Sequence, residues 1–72
     1  NFFNSKNSGI FIKDKDSNIS INLNGSTTLS NGAYITNSGK GSVNISKLNI
    51  LDKGFVIANN NIYISDIIYH LI

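Results

Sequence analysis

Short runs of apolar residues recur along the whole chain, and Gly, Asn, Ser or Asp separates one run from the next. Within the runs, β-branched and aromatic residues often alternate with polar ones, which is the pattern of β-strands. The pattern predicts strands at 10–12, 19–23, 33–36, 43–45, 48–51, 55–57 and 62–69. The only helical candidate is a single turn at Gly25–Ser30, which contains two threonines, and threonine is a poor helix former. We therefore expect a strand-rich chain.

The last run, 62–69, does not keep a two-residue period throughout. A bulge or bend near Ser65-Asp66 would restore the alternation on either side of it. A strand that is buried on both faces needs no alternation, so that explanation stays open as well.

Length and composition limit what the chain can bury on its own. It has 72 residues and no cysteine, so it has neither a disulfide framework nor a thiolate metal site. A chain of this size buries only a modest core. We expect residues 1–72 to form a single segment that packs against a protein partner or against the rest of a parent domain.

The charges are few and scattered. Six lysines and four aspartates give a formal net charge of +2, and there is no arginine. A surface for phosphate groups normally shows clustered Lys or Arg, so we expect no nucleic-acid binding. No apolar run is long enough to span a membrane as a helix. The chain begins with Asn1 and without a signal-peptide pattern, which suggests a processed fragment.

No group of residues predicts an enzyme. His70 lies near the end of the chain, Asp14 and Asp16 supply only two carboxylates against the six to eight oxygens that calcium takes, and Asp66 suits a structural turn. The Gly-containing segment Ser38–Ser42 lacks the spacing of a phosphate-binding loop and is expected to be a hairpin turn. We predict no catalytic residue, cofactor or metal.

Three Asn-x-Ser sequons are candidate glycosylation sites. Their asparagines are Asn18, Asn24 and Asn44.

From Val43 to Tyr69 the sequence VNISKLNILDKGFVIANNNIYISDIIY resembles the closing segment of fasciclin domains, and Thr27–Gly32 is similar to a turn that precedes it in that family. The resemblance implies an α+β fold in which a helical half packs on an antiparallel β-sheet wedge, with only the C-terminal, strand-rich half present here. It also implies hairpins across Asn31-Gly32 and Asn59-Asn60. The implied role is non-enzymatic adhesion or protein interaction, with a secreted or cell-surface location.

Burial of the strands in that arrangement predicts a core and a test of it. Ile64→Asp is expected to unfold the segment and abolish cooperative melting, because a buried aliphatic side chain contributes about 1.5–3 kcal/mol. The predicted core residues are Val43, Ile45, Ile50, Leu51, Ile57, Ile62 and Ile64.

A second hypothesis competes with the fasciclin-like one. Gly9, Gly32 and Gly54 each precede an apolar run, and they divide the chain at nearly equal intervals. Their spacing is typical of one coil of a right-handed parallel β-solenoid, the fold of bacterial surface adhesins. It predicts stacked, equivalent strands instead of hairpins. A structural subunit of a larger assembly is compatible with either fold.

Overall fold

The computed structural model describes residues 1–57 and 60–70, and this part of the chain consists of strands and turns without a helix. Eight strands follow one another along the chain. They are β1 (Phe2–Phe3), β2 (Gly9–Ile12), β3 (Ser20–Leu29), β4 (Tyr34–Asn37), β5 (Ser42–Ile50), β6 (Phe55–Ile57), β7 (Ile62–Ile64) and β8 (Ile67–Tyr69). Most of them coincide with predicted runs, but β1 was not predicted, β3 continues well beyond the run 19–23, and the runs 43–45 and 48–51 belong to the single strand β5.

All strand pairs are parallel, and they form two sheets. One sheet has the order β1-β3-β5-β7, with β8 also paired to β5, and the other has the order β2-β4-β6. Strands from β1 to β7 alternate between the two sheets along the chain, so each pass of the backbone adds one layer to both. Repetition of this pass produces a stack of coils, which is the architecture of a β-solenoid.

The predicted α+β fold with antiparallel hairpins is wrong. Asn31 and Gly32 join β3 to β4, which belong to different sheets, so this turn is a corner of the coil. Segment Ser38–Ser42 is likewise a corner between sheets and not a hairpin turn, and Gly25–Ser30 lies mostly within β3 instead of forming a helical turn. The other predicted hairpin turn includes Asn59, which lies outside the described residues. Alternation specifies a strand and its buried face, but it does not specify the direction of the partner strand.

The coils are stacked in register, so equivalent side chains lie one above another in columns. Ile35 is flanked by Ile10 and Val56, and Ile45 by Leu23 and Ile64. The inward columns make one continuous core between the sheets. Its buried apolar members are Ile12, Leu29, Ala33, Ile35, Val43, Ile45, Leu48 and Ile50.

The coils become shorter along the chain. Phe2 pairs with Thr28 at the start of the stack, and Val43 pairs with Ile62 at its end. The coil from Phe2 to Thr28 contains more residues than the coil from Val43 to Ile62. Part of the difference is an irregularity of β3 between Leu23 and Ser26, where β3 has an extra residue relative to β5. Gly25 provides the positive φ of 76° that this bulge requires.

The run 62–69 is divided at Ser65-Asp66 into β7 and β8, where a bulge or bend was expected. The step from Ile64 to Ile67 matches the step from Ile45 to Leu48 in β5, so this interruption adds no residue. Every residue of β8 is exposed, so burial on both faces does not explain the broken alternation.

Close stacking of the coils also depends on two glycines, Gly9 and Gly41. A Cβ on Gly9 would collide with the carbonyl oxygen of Tyr34, and a Cβ on Gly41 with that of Ile19. These glycines allow neighbouring coils to approach closely.

The core prediction was right in the middle of the stack and wrong at its end. Val43, Ile45 and Ile50 are buried, but Ile57 is 43% exposed. The rest of the predicted set, Leu51, Ile62 and Ile64, is half-buried. Buried residues that the prediction missed are Ile12, Leu29, Ala33, Ile35 and Leu48.

Two alanine substitutions in one column test this graded burial. Ile45→Ala should lower the free energy of unfolding by about 2–5 kcal/mol, because coils cover Ile45 on both sides. Ile64→Ala should cost less than half as much, since no described strand covers Ile64 on the other side. Urea unfolding measures both values, and equal losses would contradict the column assignment.

Candidate interaction surfaces

The two carboxylates considered for calcium lie in the exposed loop after β2. Asp14 Oδ1 accepts a hydrogen bond from the Asp16 backbone N–H at 2.9 Å, which forms a local turn. Asp16 Oδ1 lies 3.7 Å from Lys40 Nζ, and both side chains are 68% exposed. The described part of the chain contains no group of three His, Cys, Asp or Glu residues that could hold a metal ion.

His70 and Asp66 both lie on the last coil and are exposed. His70 Nε2 is 3.4 Å from Asn49 Oδ1, a contact between neighbouring coils. Asp66 contributes its backbone carbonyl, which accepts from Leu48 N–H at 2.8 Å. The expected bonds from turn N–H groups to the Asp66 carboxylate are not formed by described residues. The fold therefore does not bring His70 and the acidic residues of the first coil into one site.

The three sequon asparagines differ in their surroundings. Asn18 and Asn24 are exposed, in the loop before β3 and at the β3 bulge. Asn44 is half-buried within β5, and its Nδ2 donates to Ser42 Oγ at 3.0 Å and to Ile21 O at 3.4 Å. Glycosylation stays a prediction for all three, and geometry favours the first two.

An aromatic ladder covers the outer face of the β2-β4-β6 sheet. We use this name for Phe11, Tyr34 and Phe55. Tyr34 stacks on Phe55 with ring centroids 4.9 Å apart and ring planes 2° from parallel. Phe11 contacts Tyr34 at 4.5 Å with the rings tilted by 44°. The ladder joins three coils on their outer side, as the apolar columns join them inside.

The two ends of this ladder are similarly exposed. Phe11 is 37% exposed and Phe55 is 42% exposed. Lys13 Nζ lies 5.9 Å from the centroid of the Phe11 ring, within the range of a cation–π contact.

Within residues 1–57 and 60–70, no strand covers the far side of the last coil, and we call this surface the C-terminal end. Columns that are almost completely buried one coil earlier become exposed here. Leu48 is 0% exposed whereas Ile67 in the same column is 40% exposed, and Ile50 is 5% exposed whereas Tyr69 is 64% exposed.

Backbone groups at the C-terminal end are also without a hydrogen-bond partner among the described residues. Successive residues of a strand direct their N–H and C=O groups to opposite sides. The observed bonds to β5 therefore leave the groups of residues 62, 64, 67 and 69 facing away from it. Those bonds join Val43 N–H to Asn61 O, Ser65 N–H to Ile45 O, Leu48 N–H to Asp66 O and His70 N–H to Ile50 O.

Sequence reasoning missed both surfaces. Phe11, Tyr34 and Phe55 follow closely after Gly9, Gly32 and Gly54, so the ladder has nearly the same repeat as those glycines, and the coil period was the available signal. The C-terminal end depends on which strands lack a neighbour, and that information is not in the local pattern.

In comparisons with known proteins, no family model, curated protein or solved structure matches this chain. The structure does not have the fold that the fasciclin resemblance implied, so the resemblance supports no functional argument. Among the described residues there is no helix with the length and apolarity needed to cross a membrane.

Removal of one ladder ring tests its contribution. Tyr34→Ala should lower the free energy of unfolding by about 1–3 kcal/mol, because the Tyr34 ring makes two aromatic contacts. Tyr63→Ala is the matched control, since Tyr63 is 58% exposed and its hydroxyl contacts only nearby Asn61. Equal melting temperatures for the two variants in calorimetry would show that the ladder does not stabilise the stack.

Proposed function

We propose that this chain is a non-enzymatic protein-interaction module that binds by adding a further β coil to its C-terminal end. The observation that carries the proposal is the coincidence of apolar side chains and unpaired backbone groups on β7 and β8. A partner strand that lies there would satisfy both at once, as in β-strand addition.

The apolar part of this surface supports a β coil as the ligand. Val56, Ile62 and Ile64 are half-buried and pack against the core from the last coil, and Ile67 and Tyr69 extend the same layer. These side chains continue the inward columns. A new coil with apolar residues at the same positions would cover them as β5 covers β3.

The exposed backbone N–H and C=O groups of β7 and β8 would set the direction and register of an added strand. Unpaired N–H and C=O groups on an exposed strand form a ready template for another strand. Because β7 and β8 are both short, the added strand must follow the interruption at Ser65-Asp66. This requirement favours a partner strand that, like β5, can pair with both β7 and β8.

The proposal keeps the interaction role expected from the sequence but rests on different grounds. Adhesion at a cell surface is one setting for such a module, and the exposed sequons at Asn18 and Asn24 support a secreted location. That setting is a separate proposal, and intact-mass analysis of the native protein for attached glycans tests it.

A peptide with the sequence of β5, SVNISKLNI, tests strand addition. A fluorescent copy should bind the chain saturably, because its apolar residues match the columns that end at Ile62, Ile64 and Ile67. The measurement is fluorescence anisotropy, with a peptide of the same composition in scrambled order as the control. Equal binding of both peptides, or of neither, would contradict the proposal.

A proline variant links this binding to the edge. Ile67→Pro removes an N–H that faces away from β5, so the fold should persist while peptide binding is lost. Ile68→Pro removes an N–H that faces β5, and it should destabilise the fold more strongly. Peptide binding by folded Ile67→Pro at the wild-type level would place the binding site elsewhere.

A further inference from the structure

We infer that the C-terminal end binds a second copy of the same chain, end to end, about a twofold axis through the Ser65-Asp66 corner. This inference rests on the proposed function, since it names the occupant of the same surface.

The distribution of charge favours contact between two C-terminal ends. Half of the charged residues lie in the first coil, namely Lys6, Lys13, Asp14, Lys15 and Asp16. From Gly54 to His70 the only formally charged side chain is that of Asp66. Two C-terminal ends therefore bring largely apolar surfaces together, with the exposed Asp66 of each copy beside the axis, whereas contact with the first coil would place apolar residues against its charged loop.

Coil length also favours this arrangement. The last coil, from Val43 to Ile62, is shorter than the first, from Phe2 to Thr28, so a head-to-tail stack would join coils of different outline. A twofold arrangement joins two identical outlines. It also closes after two copies, whereas a head-to-tail contact would continue into a filament.

The unpaired backbone groups match a twofold register. Residues 62, 64, 67 and 69 are symmetric about the Ser65-Asp66 step. An antiparallel pair centred on that step places Ile62 opposite Tyr69 of the second copy and Ile64 opposite its Ile67. In an antiparallel pair, two directly opposed residues whose N–H and C=O groups face each other exchange two hydrogen bonds. The backbone groups of all four residues in each copy would therefore be paired.

Sedimentation equilibrium of matched lysine variants tests the contact. The wild-type chain should sediment at twice its monomer mass of 7.8 kDa. Tyr69→Lys should raise the dimer dissociation constant about a hundredfold. Phe2→Lys is the control at the other end, because Phe2 is 65% exposed and Tyr69 is 64% exposed. Circular dichroism should show that both variants keep the fold, and equal dissociation constants for the two would overturn the inference.

Cysteine crosslinking tests the twofold axis, since the chain has no cysteine of its own. Ser65→Cys should form a disulfide-linked dimer under mild oxidation, because the axis passes beside this exposed residue. Asn24→Cys, exposed on β3 and away from the C-terminal end, should stay monomeric on a non-reducing gel. Crosslinking only in a mixture of the two variants would indicate head-to-tail stacking and overturn the twofold arrangement.

The two proposals can fail separately. A chain that stays monomeric but binds the β5 peptide would overturn the homodimer and leave strand addition in place. A chain that neither dimerises nor binds the peptide would overturn both.

Discussion

The fold depends on in-register stacking of one coil on the next. Each inward side chain contributes fully to stability only when the equivalent side chain of the neighbouring coil covers it. Ile45 lies between Leu23 and Ile64 and is 2% exposed, while Ile64, with one described neighbour in its column, is half-buried. Stability in such a stack is the sum of contacts between neighbours, and its weakest layers are the terminal ones.

The local pattern was sufficient to predict the strands but not their arrangement. The runs around Ile35, Val43 and Val56 all became strands, because alternation and β-branched residues reflect the local preference of the backbone. Their direction is set by connections that lead from one sheet to the other. Nothing in Asn31-Gly32 distinguishes a hairpin turn from a solenoid corner, since both require positive φ, and both residues have it here at 52° and 83°.

The same limit explains the errors in the core and in the candidate site. Ile57 and Val56 are both apolar, yet Ile57 is on the outward side and Val56 on the inward side of β6. Leu29 and Leu48 were missed because their burial comes from neighbouring coils, whose residues are distant in the sequence. The nearly equal spacing of Gly9, Gly32 and Gly54 was the one long-range signal, and it pointed to stacked parallel strands with about that repeat.

Interior stacking and exterior stacking reinforce each other in this chain. The aromatic ladder aligns Tyr34 and Phe55 only because β4 and β6 pair in register, and that register is the one that aligns Ile35 with Val56 inside. A slip by one residue would exchange the inward and outward sets and disrupt both. In the last described coil both kinds of stacking lose one neighbour, because Val56 and Phe55 lie on β6, which has no further described strand beside it.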